Sequence, residues 1–347
     1  MIDLSNIKFE KVVIHKVGNY QKDEGINLSK GEITFNEEIK GVLMKYFLTP
    51  FKSEEYYNLY HESDLKMNEV YTYISEIFDN SNNLYPESVN IAQHLYKQSL
   101  HPKIKGGEFY VVYFTECRID DEIVDAIGLF KSENKETFLK VFPQGDNFEI
   151  NYDEGISINK LDKGCLIFNT ERDNGYLVWI VDNVNKGSEA QYWKDDFLRI
   201  KPRRDNYHNT ENIINLCKEF VYDKLPEEIN VEKTDQAELL NKTVRFLKEK
   251  PTFSFEEFTE EVIEKPQVAN LFKEYKNQFQ EDYDIKIEDN FDVSAPALKK
   301  NSKVFKSVIK LDKNFHIYIH GDKELITKGY DQENEMNFYK LYYKEES

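Results

Sequence analysis

The sequence predicts an α+β fold: a large antiparallel sheet with helices, followed by a helical region that closes with a small antiparallel sheet. Three observations support this prediction. Residues 109–182 contain six β-prone segments separated by short polar turns, residues 209–280 place apolar side chains at helical spacing, and residues 305–344 return to a strand pattern. The short turns leave no room for crossover helices, so a doubly wound parallel sheet is disfavoured.

The first hundred residues predict one strand and three helices. Residues 7–17 alternate apolar and polar side chains, which is typical of a strand. Residues 36–48 carry apolar side chains at helical spacing after Asn36, a good N-cap residue. The same spacing predicts a helix around 70–78 and another that begins after Pro86.

The middle of the chain is rich in strand signals. Residues 109–116 are almost continuously apolar, as expected for a central strand that is covered on both faces. Further strands are predicted at 123–131, 137–142, 147–153, 163–169 and 175–182.

The second part of the chain is predicted to be mostly helical, with domains at 1–205 and 206–347. Ser254 and Glu257 form a capping-box pattern, and Lys313–Asn314 separates two strands of a predicted hairpin. The predicted helices are 188–199, 209–224, 234–250, 254–264, 266–280 and a short one after Pro296. The predicted strands are 305–312, 315–321, 324–331 and 336–344.

Charge and cysteine usage exclude several classes of protein. The 46 Lys and Arg residues against 64 Asp and Glu residues give a net charge of −18, the wrong sign for a protein that coats DNA or binds anionic membranes. Cys117, Cys165 and Cys217 lie too far apart for a zinc motif or a disulfide framework, which favours a reducing cytoplasm. No signal peptide and no long apolar segment is evident, and we expect no metal and no cofactor.

The sequence contains one acidic cluster of the kind that catalytic sites use. Asp120, Asp121 and Asp125, with Lys131 on the next strand, could hold Mg²⁺ in a nuclease. The alternative is an ordinary hairpin turn, since Asp is favoured in turns for local backbone reasons. His316 and His320 lie on one face of a predicted strand but about 13 Å apart, too far to share a metal ion.

Two basic segments are the candidate nucleic-acid contacts. They can bind phosphates locally, pair with the acidic side chains of this chain, or remain solvated surface. Arg203 and Arg204 could also join the two domains. The candidate residues are Arg199, Lys201, Arg203 and Arg204 in the first segment, and Lys299, Lys300, Lys303 and Lys306 in the second.

The order of these segments resembles the bacterial nucleoid-associated protein family (NdpA/YejK type). The likeness is carried by VVIHKV at 12–17, by the block from FYVVYFTECRIDDEIVDAIGLF to KGCLIFN at 109–169, and by the block from IEDNFDVSAPALKK to FHIYIHG at 287–321. The resemblance implies a non-enzymatic protein of the bacterial cytoplasm and nucleoid, without catalytic residues or a cofactor.

Two hypotheses for the function therefore remain, and they differ in how the protein associates with the nucleoid. In the first, the protein binds DNA non-specifically through its basic segments, or docks on a DNA-bound partner such as a topoisomerase. In the second, it is an acidic protein–protein interaction module, for example a topoisomerase-associated adaptor, without direct DNA contact. The strand at 336–344 could be an exposed edge that pairs in a homodimer.

Overall fold

A computed structural model describes residues 2–184, 192–301, 307–319 and 325–345. The chain divides into two compact units, Met1–Arg203 and Arg204–Ser347. Within the described residues the fold is α+β, as predicted, with a large antiparallel sheet in the first unit and mostly helices in the second.

The first unit is built on a nine-stranded antiparallel sheet. Its strands are β1 (Ile2–Asp3), β2 (Lys8–Val17), β3 (Ile26–Asn27), β4 (Tyr56–Leu59), β5 (Gly107–Ile119), β6 (Glu122–Ser132), β9 (Lys163–Phe168), β10 (Leu177–Asp182) and β11 (Ile200–Pro202). Their order across the sheet is β11-β4-β10-β9-β6-β5-β2-β3, and β1 also pairs with β5. The antiparallel pairing confirms that the short turns exclude a doubly wound parallel sheet.

Helices cover both faces of this sheet. Helix α1 (Glu37–Leu48) begins after Asn36, whose side chain accepts a hydrogen bond from the Ile39 N–H at 2.9 Å, so the predicted N-cap is confirmed. Helices α2 (Glu69–Asp79) and α3 (Leu84–Gln98) pack on the opposite face from α1.

Strand β5 shows why its apolar run is continuous. Phe109, Val111 and Tyr113 point into the core beneath α2 and α3, and the alternate residues Tyr110, Val112 and Phe114 point into the core beneath α1. Successive side chains of a strand face opposite sides of its sheet, so a strand covered on both sides needs apolar residues at every position.

Two further predicted strands are not part of the large sheet. They are β7 (Glu136–Gln144) and β8 (Asn147–Gly155), which pair with each other over nine residue pairs in a two-stranded sheet of their own. We refer to residues 136–155 as the β7–β8 ribbon. Nearly all of its side chains are exposed.

The second unit has an aromatic core between helices. Phe253 and Phe291 stack with ring centroids 4.9 Å apart, and Phe246, Phe258 and Phe272 surround them. The helices are α4 (Asn206–Glu219), which continues as a helical segment through Lys224, α5 (Leu225–Glu228), α6 (Lys233–Glu249), α7 (Phe255–Phe258), α8 (Pro266–Asp282) and α9 (Ala295–Asn301).

In the described part of the second unit, the strands form three two-stranded sheets. They pair as β12 (Thr252–Ser254) with β13 (Asn290–Asp292), β14 (Ser307–Leu311) with β15 (Phe315–Ile319), and β16 (Ile326–Asp331) with β17 (Met336–Leu341). The predicted hairpin at Lys313–Asn314 is therefore confirmed. The predicted helix at 188–199 is observed as a helical turn at Trp193–Leu198, and residues 185–191 lie outside the described part.

Candidate nucleic-acid interface

The basic segment at 199–203 is the outermost strand of the large sheet. Strand β11 pairs with β4, and the hydrogen bonds continue on both sides of it. The Tyr60 N–H donates to the Arg199 carbonyl at 2.8 Å, and the Arg203 N–H donates to the Tyr56 carbonyl at 3.0 Å. Cationic side chains and a proline are common on edge strands because they discourage pairing with another sheet.

The two arginines of this strand are bound to carboxylates of their own unit. Arg199 donates from Nη1 to Glu69 Oε2 at 3.1 Å. Arg203 donates from Nε to Glu171 Oε2 at 3.2 Å and from Nη2 to Glu171 Oε1, so the pair is bidentate. Charge-assisted pairs of this geometry are among the stronger hydrogen bonds in proteins. Both guanidinium charges are therefore compensated inside the first unit.

Lys201 interacts with an aromatic ring. Its Nζ lies 3.8 Å from the centroid of the Tyr60 ring, within the range of a cation–π interaction. Arg199, Lys201 and Arg203 thus each have a partner in the folded chain. Of the three roles that the sequence leaves open for the basic segments, this favours pairing with other side chains of the same protein.

The other predicted residues belong to the second unit. Arg204 is exposed and precedes Asp205, which caps α4 by accepting from the His208 N–H at 3.0 Å. Lys299 and Lys300 are exposed in the last turn of α9, where cations interact favourably with the helix dipole. Lys300 Nζ lies 3.3 Å from Glu211 Oε1. Lys303 and Lys306 lie outside the described residues.

The acidic cluster does not form a nuclease site. Asp120 and Asp121 are exposed in the turn between β5 and β6, which confirms the hairpin-turn interpretation. Asp125 accepts a hydrogen bond from the Tyr113 hydroxyl on the neighbouring strand. Lys131 lies six residues further along β6, about 20 Å away for an extended strand. These groups cannot converge on one metal ion.

Lys131 instead belongs to a buried polar network that the sequence did not reveal. It faces Lys163 across the β6–β9 pair, and both side chains are completely buried. Lys131 Nζ donates to Glu133 Oε1 at 3.1 Å and to the Lys105 carbonyl at 2.9 Å, and Lys163 Nζ donates to Asp182 Oδ2 at 2.7 Å. The Nζ atoms of Lys131 and Lys163 lie 5.4 and 5.1 Å from the centroid of one aromatic ring, that of Tyr192.

Burial sets the protonation behaviour of this network. It lowers the pKa of Lys131, while the adjacent Glu133 carboxylate opposes that shift. Burial also raises the pKa of Tyr192 well above its usual value, and Glu133 reinforces the effect because the Tyr192 hydroxyl donates to it at 2.7 Å. Each charge has an opposite charge or a hydrogen-bond partner, so the arrangement is that of a structural network rather than of a reactive group.

The remaining candidate residues are histidines and cysteines. His15 of β2 is buried, and its Nε2 lies 3.0 Å from Ser88 Oγ of α3. His316 is exposed on β15, and His320 lies outside the described residues. Cys117, Cys165 and Cys217 are buried and unpaired, and burial raises the pKa of each thiol, which makes them poor nucleophiles.

The partners of the basic residues had no signal in the sequence. Glu69 and Glu171 lie 130 and 32 residues from the arginines they bind. Such pairs arise only when the sheet and its helices assemble, so no local spacing predicts them. Lys131 and Lys163 did have a weak signal, since each is a lysine at the end of an otherwise apolar strand.

Comparison with known proteins identifies the family. A family model described as nucleoid-associated protein YejK matches residues 13–338, nearly the whole chain. No curated protein matches the sequence. In the part of the chain that the structure describes, every helix is too short or too polar to cross a membrane. Since the family match covers far more than half of its length, the chain belongs to the nucleoid-associated protein YejK family.

Proposed function

We propose that this protein is a non-catalytic component of the bacterial nucleoid and that it reaches the chromosome through a DNA-bound protein partner. Family membership supports the nucleoid role. The observation that carries the indirect route is the pairing of Arg199 and Arg203 with carboxylates of their own unit. A topoisomerase is one partner of the required kind, because it is protein and remains on the duplex.

The energetics of a phosphate contact at this strand are unfavourable. A phosphate would have to compete with Glu171, which already accepts two hydrogen bonds from Arg203. The net charge of −18 adds a repulsion between the whole protein and a bare duplex. A contact of this kind would gain little, because it replaces one charge-assisted pair with another.

Exposed aromatic side chains of the second unit are suited to a protein partner. Aromatic residues are enriched among the energetically dominant residues of protein interfaces. Strands β15 to β17 and the residues that follow them present Phe315, Tyr318, Tyr330, Phe338, Tyr342 and Tyr343, which are 44–72% exposed.

Direct DNA contact is the second candidate, and the exposure of Arg204 and Lys299 favours it. The basic composition continues beyond α9 with Lys303 and Lys306. If four to six phosphates were neutralised, the logarithm of the affinity would fall with the logarithm of the salt concentration with a slope of roughly −0.9 per phosphate.

Sedimentation with isolated nucleoids separates the two routes. The purified full chain is mixed with nucleoids that keep their proteins and, in parallel, with the same chromosomal DNA after deproteinisation. We expect sedimentation with the first and not with the second. Equal sedimentation with deproteinised DNA, together with a steep loss of binding as salt rises, would contradict the indirect route.

Two sets of variants sharpen this experiment. Glu171→Gln removes the carboxylate that compensates Arg203, and Arg203→Glu with Arg204→Glu reverses two charges. Under the indirect route, anisotropy with a random-sequence duplex stays at the wild-type level for both. Under direct contact, the first change strengthens duplex binding and the second flattens its salt dependence.

The partner surface has its own test. Phe315→Ser with Tyr330→Ser is expected to lower sedimentation with protein-bearing nucleoids several-fold. Asn337→Ser is the matched control, because Asn337 is the exposed cross-strand neighbour of Tyr330. If both variants sediment like the wild type, the aromatic strands are not the contact surface.

A further inference from the structure

The β7–β8 ribbon has two chemically different faces. In an antiparallel pair, directly opposed residues lie on the same face. On one face, three successive pairs are apolar: Leu139 with Tyr152, Val141 with Ile150, and Pro143 with Phe148. We call these six residues the apolar face of the ribbon. All six are exposed in the single chain.

The opposite face is suited to water. Lys140 Nζ lies 2.7 Å from Asp153 Oδ2 and 5.6 Å from the centroid of the Phe138 ring, so an ion pair lies beside this aromatic. Phe142 lies across from Glu149 on the same face. Charged groups are thus interspersed on this side, whereas the three consecutive pairs of the apolar face carry no charge.

A two-stranded ribbon of this kind needs a partner. An isolated hairpin is marginally stable in water, because one pair of strands buries too little apolar surface. The exposed fractions on the apolar face reach 71% for Leu139, 73% for Tyr152 and 72% for Phe148. At roughly 100 Å² of exposed surface for each of the six side chains, the face offers about 600 Å², at the upper end of what monomeric proteins expose.

The area of the apolar face suits a second copy of this chain, and the charge of the ribbon disfavours nucleic acid and anionic lipid as its partner. Two such faces packed together would bury about 1,200 Å², which reaches the lower limit of specific, stable interfaces. Residues 136–155 carry five acidic residues against one lysine, so nucleic acid and anionic lipid are repelled. In a symmetric pair the faces that carry Lys140, Glu149 and Asp153 point outward, the three apolar pairs bring no charge into the contact, and Glu154, paired with Thr137, lies at its edge.

We propose that the apolar face of the β7–β8 ribbon packs on the same face of a second copy and makes the protein a homodimer. The contact is isologous, because each residue of the face meets the equivalent surface of the partner across a two-fold axis. The two ribbons form a small sandwich with a dry centre at Val141 and Ile150. This proposal is independent of the route by which the protein reaches the nucleoid.

Adjacent residues of β8 supply a matched pair of variants. Ile150 lies on the apolar face, and its neighbour Asn151 lies on the polar face of the same strand. Ile150→Lys places two lysines in the dry centre of the dimer, one from each copy. Asn151→Lys adds the same charge, one residue away, on the side that stays in water.

Sedimentation equilibrium of the full chain over a range of concentrations measures the effect. We expect wild type and Asn151→Lys to dimerise with dissociation constants within about threefold of each other. Ile150→Lys should weaken dimerisation roughly 100-fold, because an unpaired buried charge is strongly destabilising. Leu139→Lys should act in the same way, and circular dichroism should show all variants folded, since both residues are exposed in the single chain.

Two results would overturn the proposal. The first is a wild-type chain that stays monomeric throughout the concentration range. The second is a dimer that Ile150→Lys and Leu139→Lys leave intact, which would place the contact on another surface, such as the strand at 336–341.

Discussion

Two hairpins that follow each other in the chain, β5–β6 and β7–β8, have opposite environments. Both are long antiparallel pairs with apolar side chains on each strand. In β5–β6, residues of both faces are buried, and Gly128 leaves room for the Phe114 and Phe130 rings that a Cβ would meet at 2.4–2.8 Å. In the β7–β8 ribbon, both faces lie exposed in the single chain.

The difference lies in how the apolar residues are distributed. Strand β5 has an unbroken apolar run from Phe109 to Phe114, which requires cover on both faces. The ribbon interrupts its apolar residues with Lys140, Glu149 and Asp153, all on one face. A strand with charged residues on one face can bury only its other face. The cover for that apolar face can come from another molecule instead of from the same chain.

The largest difference is expected when one phenylalanine of each hairpin is truncated. Phe130 is fully buried and stacks on Phe47 of α1 with ring centroids 4.1 Å apart. Phe130→Ala should lower the free energy of unfolding by about 3–5 kcal/mol, because it leaves a cavity in the core. Phe148→Ala, measured at concentrations where the protein is monomeric, should change it by less than about 0.5 kcal/mol. Urea unfolding followed by fluorescence measures both.

A substantial loss in the monomeric Phe148→Ala variant would mean that the ribbon packs on its own chain. The comparison between the two hairpins would then fail, and the apolar face would have no need of a second copy.

Much of this fold could be predicted from sequence because it depends on local patterns. The cap of α1, the turn at Asp120–Asp121 and the double cover of β5 all follow from neighbouring residues. The separation of β7 and β8 from the large sheet did not follow, since strand pairing is decided by non-local contacts. The interruption by Lys140 and Glu149 was the available signal, and it indicates one exposed face without indicating which strands are neighbours.

The candidate site was less predictable than the fold, for a related reason. A run of basic residues shows positive charge along the chain, but its meaning depends on what the fold places beside it. Glu69 and Glu171 form ion pairs with Arg199 and Arg203, which the run of positive charges alone does not show. Single-sequence reasoning contains no information on such partners.

The second expected difference concerns a lysine in each hairpin. Lys131 of β6 is completely buried against Glu133, whereas Lys140 of β7 forms a half-exposed pair with Asp153. Lys131→Met should lower the free energy of unfolding by about 3 kcal/mol, because it leaves the Glu133 carboxylate buried without its counter-charge. Lys140→Met should leave the unfolding midpoint unchanged, since solvent screens an exposed pair.

A double variant distinguishes the ion pair from the loss of packing. Adding Glu133→Gln to Lys131→Met should restore much of the lost stability, because the uncompensated charge is then gone. If the double variant is as unstable as the single one, the buried lysine contributes through its contacts with Tyr192 and the Lys105 carbonyl instead.

The smallest expected difference is a pH dependence of stability that arises in the large sheet and not in the β7–β8 ribbon. His15 Nδ1 accepts from the Ser29 N–H at 3.1 Å, so the proton resides on Nε2, which donates to Ser88 Oγ at 3.0 Å. Burial lowers the pKa of His15 from its usual value near 6.5 to about 4. Between these two values the unfolded chain binds a proton that the folded chain does not. The contribution of His15 to stability is therefore complete well above pH 6.5 and falls as the pH drops towards 4.

This linkage amounts to about 2 kcal/mol between pH 7.5 and pH 5, by the relation of 1.36 kcal/mol per pKa unit. Unfolding in urea at the two pH values measures it. His15→Gln should reduce the difference without abolishing it, because burial also lowers the pKa of His94. Ile150→Lys should retain the full difference, since the ribbon lies outside the covered sheet. An unchanged pH dependence in His15→Gln would show that other groups dominate the loss of stability in acid. The burial of His15 beneath α3 would then not control it.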